Sequence, residues 1–273
     1  MLTRLAALLP DVRRRNIKVG SIVMKRFIAV CAVLALAAVA ATSASATELK
    51  IFGSRVTKML VDDIGPQFEK ATGNKLVVVT DVTANMKRRI ESGEAFDLAV
   101  LVNFQTDEMI KAGKLVADTR ADLMKAGLGV AVKRGAPLPD IATVEAFKRT
   151  LLAAKSIAYL KEGGSTRHVN LVLAQLGLTE ALAAKTVKPD TEKVSELVAS
   201  GDVELGIVVI PNILSVPGAQ LVGPFPDDIQ GYTVFTAAVS ANTRNQQAAR
   251  DLIMFLKSPV GVQSIKTKGM VNG

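Results

Sequence analysis

The sequence predicts an α/β protein built on mostly parallel sheets flanked by helices. Short aliphatic and β-branched runs alternate with helix-forming stretches from residue 49 almost to the end, the pattern of parallel strands joined by helices. Gly, Pro, Ser and Thr sit at the junctions, where turns and caps need them. Composition agrees: the chain is 49% hydrophobic but only 4% aromatic and has no Trp, so its core is aliphatic.

The elements follow in order. Residues 49–52 form a first strand that ends in Gly53-Ser54. A helix is expected from about residue 56 and a second one entered at Pro66, because proline suits a first helical turn. Gly73-Asn74 stops it, and residues 75–80 read as the second strand. Thr83 is placed as the cap of a helix reaching Glu91, with Gly93 past its end. Residues 97–102 make a third strand and 104–111 a helix closed by Gly113.

After a strand at 127–133, Gly135-Ala136-Pro137-Leu138-Pro139 reads as the crossover to a second lobe. That lobe is assigned a helix at 144–152, a strand at 156–160 and the turn Glu162-Gly163-Gly164-Ser165. Helices at 166–176 and 192–200 and a strand at 204–209 complete it. A β-branched strand at 231–239 returns the chain to the first lobe, and helices at 246–256 and 260–266 close it. The expected organisation is a removed segment at 1–46, lobe one at 47–133, lobe two at 134–230 and the return at 231–273. No internal repeat or low-complexity linker interrupts it.

The segment before residue 47 has its own signature. Met24-Lys25-Arg26 supplies a basic start, an apolar run extends from Phe27 to about Ala41, and Ala44-Ser45-Ala46 forms an A-x-A site. These are the three parts of a secretory signal peptide, so cleavage after Ala46 and export to the periplasm are expected. The run of about 15 residues falls short of the ~20 that span a bilayer. Residues 1–23 precede a methionine that already opens a well-formed signal, which points to Met24 as the start.

Removing residues 1–46 takes away seven basic residues and one acidic one, leaving 27 Lys and Arg against 24 Asp and Glu, a net charge of about +3 rather than +9. The basic character belongs to targeting, and nucleic acid is not an expected partner. Cys31, the single cysteine, lies in the removed segment, so no disulfide is expected. With His168 the lone histidine, a His/Cys zinc site is excluded. The scarcity of aromatics argues against carbohydrate and single-stranded nucleic acid. No nucleophile elbow, P-loop or dinucleotide fingerprint is present, and no cofactor is expected.

Three strand-to-helix turns carry the chemistry: Gly53-Ser54-Arg55, the turn from Thr80 to Asn85 that holds Thr83, and Gly163-Gly164-Ser165-Thr166-Arg167. A helix start exposes unpaired N–H groups and the positive end of its dipole, so such turns can hold an anion; each can equally be an ordinary cap. Arg55 and Arg167 add planar, bidentate donors suited to a carboxylate. His168 is a candidate contact or proton-transfer group. Asp81, Asp97 and Glu162 lie near the turns without the spacing of an acid/base pair.

The chain resembles periplasmic substrate-binding proteins of the molybdate-binding type. The resemblance rests on Ile90-Glu91-Ser92-Gly93-Glu94-Ala95-Phe96-Asp97-Leu98, on Leu173-Ala174-Gln175-Leu176-Gly177-Leu178 behind Ser165-Thr166, on Leu205-Gly206-Ile207-Val208, and on Phe255-Leu256-Lys257-Ser258-Pro259. It implies a type II periplasmic-binding-protein fold, with two lobes joined by two hinge strands closing on an anion. It also implies a monomer served by a membrane permease and ATPase. Carried over, the family's first serine falls at Ser54-Arg55, its second at Thr83, its aromatic at His168 and its tyrosine at Val209. Valine donates no hydrogen bond, so the site is expected to favour a small di- or tricarboxylate over a compact oxyanion. Some relatives of this type are aconitate isomerases. An enzyme on the same scaffold, with His168 or a cleft carboxylate as the base, is therefore the alternative. A ligand-loaded partner of a membrane sensor is a third reading.

Overall fold

The computed structural model describes residues 47–273, so the signal-peptide and start-site expectations lie outside the described residues. The strands are β1 (Glu48–Gly53), β2 (Lys75–Thr80), β3 (Leu98–Val102), β4 (Ala121–Lys133), β5 (Ile157–Ala158), β6 (Thr186–Val187), β7 (Leu205–Val209), β8 (Ala219–Pro224), β9 (Tyr232–Val239) and β10 (Val271–Asn272). The helices are α1 (Arg55–Thr72), α2 (Thr83–Glu91), α3 (Asn103–Lys111), α4 (Val144–Ala153), α5 (Thr166–Gln175), α6 (Thr179–Ala183), α7 (Val194–Ser200), α8 (Ile210–Leu214), α9 (Gln246–Leu256) and α10 (Pro259–Thr267).

The strands join in the order β2-β1-β3-β9-β4-β7-β5-β6, with β8 and β10 pairing onto β4. Parallel ladders occupy the two ends: β1 runs parallel to β2 and β3, and β5 parallel to β6 and β7. The middle is antiparallel. The first half of β4 pairs with β9, and its second half pairs with β7 and β8. A 13-residue strand thus belongs to both halves of one curled, mixed sheet. Gln230 stitches the crossing point, accepting the Leu128 N–H (3.1 Å) and donating to the Leu128 carbonyl (3.0 Å).

Strands β3 and β7 are buried along their whole length, which explains their unbroken aliphatic sequences: helices cover both faces. One core cluster runs through both halves of the sheet. A smaller one, with Phe52 stacked on Phe96 at 5.0 Å, seats α2 and α3 against β1 and β3.

Local expectations change at Pro66 and at Thr83, the strand expected at 127–133 begins at Ala121, and the helix expected at 192–200 begins at Val194. Residues 55–72 form a single helix rather than two, because the buried stripe Val56, Leu60, Val61, Ile64 and Phe68 continues past Pro66, which lies exposed. Packing of that stripe outweighs the proline's lost hydrogen bond. Thr83 does not cap α2; Val82 holds the cap position and Thr83 is the first helical residue. Its hydroxyl is therefore not used by its own helix. Among the described residues, no helix is long and apolar enough to cross a membrane.

Candidate functional site

The turns after β1 and β2 meet the turn before α5 at one small cavity. Ser54, Thr83, Ser165, Glu192, Val209 and Asn212 line it, with Gly164 and Thr233 at its edge. The volume open to water is ≈ 20 Å³, about one water molecule. Ser54 precedes the first turn of α1 and Thr83 opens α2, so both hydroxyls sit where N–H groups and helix dipoles converge.

Both side chains are 3% exposed, and among the described residues neither hydroxyl oxygen has a hydrogen-bond partner. The Asn212 Oδ1 atom, and Ser195 Oγ just behind it, are buried and unpartnered as well. Orphaned buried polar atoms are rare because each carries an uncompensated desolvation cost. Four in one place mark a site prepared for a polar ligand. Gly164 permits the close approach: a Cβ there would lie 2.5 Å from Val102 Cγ1 and 2.6 Å from Thr233 Cγ2.

Of the remaining sequence-derived candidates, Arg55, Thr166, Arg167 and His168 do not line the cavity. Arg55 sends its guanidinium away from the cavity, to the Glu192 carbonyl (2.6 Å) and to Glu196 Oε1. The Thr166 hydroxyl is spent on the Leu160 carbonyl at 3.0 Å. Arg167 is exposed and rests over the Phe104 ring. His168 does not line the cavity, and its Nε2 lies 2.9 Å from the Ile229 carbonyl oxygen. Val209 does line it, as an apolar wall. Two contacts clamp the rim from opposite halves of the sheet, Arg55 to Glu196 and Arg88 to Glu162 at 2.6 Å.

Glu192 and Asn212 are lining residues that sequence reasoning missed, and among the described residues Glu192 is the one titratable side chain on the wall. Its Oε2 accepts the Arg55 backbone N–H at 2.7 Å, so a carboxyl from the segment before α7 docks on the start of α1. Burial pushes this carboxyl up to about 7. The hydrogen bond and charge of Arg55 oppose that rise, Asp81 adds to it, and a hydrogen bond with Asn212 opposes it. No sequence spacing links residue 192 to residue 55.

A larger groove of ≈ 360 Å³ lies beside Lys50, Glu94 and Asp97. There the Asp97 carboxylate is fully used, accepting from the Lys50 N–H (2.7 Å), Asn245 (3.0 Å) and Thr243. Among the described residues no group of three or more His, Cys, Asp or Glu could hold a metal ion.

A curled mixed sheet flanked by helices, enclosing a polar cavity where the two halves meet, is the type II periplasmic-binding-protein fold. The Azotobacter vinelandii periplasmic molybdate-binding protein superposes with a TM-score of 0.71 at 19% identity, covering 82% of this chain and 99% of that one. In sequence, residues 49–271 match the family model for bacterial extracellular solute-binding proteins, and the chain belongs to that family. An aconitate isomerase from a Pseudomonas species is 29% identical over 229 residues, 82% of this chain and 87% of the relative. The molybdate-binding protein ModA of Azotobacter vinelandii is 28% identical over 235 residues, 84% of this chain and 92% of the relative.

Proposed function

We propose that this protein captures a small organic anion, a di- or tricarboxylate, as the periplasmic binding component of an ABC-type transporter. The carrying observation is the pair of orphaned buried hydroxyls, Ser54 Oγ and Thr83 Oγ1, facing one cavity at two helix starts. Hydroxyls and helix N-termini supply the donors that an anion needs without a fixed cation. The arginines do not carry the carboxylate preference, since both point elsewhere; the aconitate isomerase relative supports it.

The cavity as it stands admits about one water, so a solute enters only when the rim contacts part. Bending where β4 crosses at Leu128 and at residues 229–231 would separate lobe one (47–133 with 231–273) from lobe two (134–230). A permease and ATPase would then receive the loaded, closed form.

Glu192 also favours a second reading, an isomerase. Interconverting cis- and trans-aconitate moves a proton between carbons, which needs one group able to take and return a proton near neutral pH. Glu192, rather than His168, is the titratable group on the cavity wall.

Proton NMR of trans-aconitate mixed with the protein tests both readings. Line broadening with an unchanged spectrum is expected of a binder, and growth of cis-aconitate signals would transfer the function to the isomerase. Sharp, unchanged lines at millimolar ligand would contradict both.

A further inference from the structure

Glu192 poses a problem for any anion site: a carboxyl stands on the wall among the very groups that would hold the ligand. Its Oε2 already occupies the first N–H of α1, one of the donors expected to receive an anion. An anion entering beside an ionised Glu192 meets a like charge in a partly desolvated space, which is strongly unfavourable.

Among the described residues, no lining cation relieves this. From α1, the Arg55 guanidinium is held by the Glu192 carbonyl and by Glu196. From the turn after β2, Asp81 adds negative charge, and its carboxylate is engaged by the Val82 N–H (2.7 Å) and by Asn85 (2.9 Å). From α7, Glu196 is itself acidic. From α8 comes only the neutral Asn212. Arg88, at the rim, is paired with Glu162.

We propose that Glu192 makes this a one-proton site: an anion is held only together with a single proton shared between the Glu192 carboxyl and a ligand oxygen. A ligand that brings its own proton, as a hydroxyl, a carboxylic acid or a hydrogen phosphate, donates it to the Glu192 carboxylate. A fully ionised oxyanion such as sulfate or molybdate brings none, so Glu192 must itself be protonated to receive it. The residue thereby selects ligands by protonation state. The raised titration of Glu192, near pH 7, places this choice within the physiological range. The inference rests on the anion-binding reading above.

Titration calorimetry at pH 8, in two buffers of different ionisation enthalpy, reads the proton directly. Molybdate and sulfate are expected to bind with uptake of about one proton, and inorganic phosphate, present as the hydrogen phosphate dianion, with none. Affinity for the fully ionised anions should fall by up to about tenfold per pH unit above 7. Glu192→Gln is expected to abolish the uptake and to bind molybdate and sulfate at pH 8 at least about tenfold tighter than the parent. Glu192→Asp, which keeps a titrating group, should keep the linkage. Equal proton counts and equal affinity ratios in the parent and Glu192→Gln would overturn the proposal while leaving anion binding intact. No heat from molybdate, sulfate, phosphate or cis-aconitate in the parent or in Glu192→Gln would overturn the anion reading and this proposal together.

Discussion

Replacing Ser54 by Ala and Thr83 by Val together is expected to make the protein more stable while costing it its ligand. Each hydroxyl is buried and without a partner among the described residues, so each is a standing penalty on folding. Valine reproduces the shape of threonine and alanine removes the serine oxygen, so the apolar replacements relieve that penalty without a clash. A gain of about 1 kcal/mol or more is expected from the two together. In the complex, the same oxygens become donors to a charged ligand. Such bonds are worth about 1.5–3 kcal/mol each, so the double variant should lose roughly 10²–10⁴ in affinity. Urea denaturation and titration with cis-aconitate measure the two effects separately. Lower stability together with unchanged affinity would show that these hydroxyls serve the fold and not a ligand.

Glu192→Gln should stabilise the unliganded protein at pH 8 and leave it nearly unchanged at pH 4.5. The Glu192 carboxyl titrates near 7 when folded, against an ordinary value of 4.5. Between those values the folded protein holds a proton that the unfolded chain has released. Its favourable contribution is therefore complete below 4.5 and is lost as pH rises through 7. A difference of about 2.5 pH units corresponds to at most about 3 kcal/mol, and the partial exposure of Glu192 lowers that figure. Glutamine carries no charge, yet its amide oxygen still accepts the Arg55 N–H. Denaturation curves at pH 4.5, 6 and 8 should show the gap between variant and parent widening and then levelling above 7. A gap constant with pH would refute the buried, neutral carboxyl. The cost has a functional counterpart, since the same group governs which anions the cavity accepts.

Much of the fold was legible because short-range signals and tertiary structure agree. Strand β2 falls on residues 75–80 as read, since Gly73 enforces the left-handed turn before it and the valine run fits a sheet. Strand β8 was not foreseen. Its sequence lies between Gly218 and Pro224, and only pairing with the distant β4 makes it a strand. Pro66 misled for a local reason: it looked like a helix start, yet the apolar stripe on either side of it is one continuous face.

The site was half legible. Ser54, Thr83 and Ser165 could be chosen because small hydroxyl residues at helix starts have a stated physical use. The direction of the arginine side chains could not. Arg55 turns to Glu196, which lies 141 residues away and is brought close only by the curl of the sheet. Glu192 and Asn212 were invisible for the same reason. Each lies outside the three turns, and their meeting with Arg55 and Thr83 is a product of the whole fold.

An organic carboxylate, rather than a compact oxyanion, is the ligand we propose for this cavity. A thermal-shift panel of molybdate, tungstate, sulfate, phosphate, citrate, cis-aconitate and trans-aconitate at pH 7.5 tests it most directly. A ligand that binds only the folded state stabilises it by about 2.7 kcal/mol at a hundred times its dissociation constant, an easily resolved shift. Shifts with the tricarboxylates are expected to exceed those with molybdate, tungstate and sulfate. Shifts confined to molybdate and tungstate would contradict this proposal.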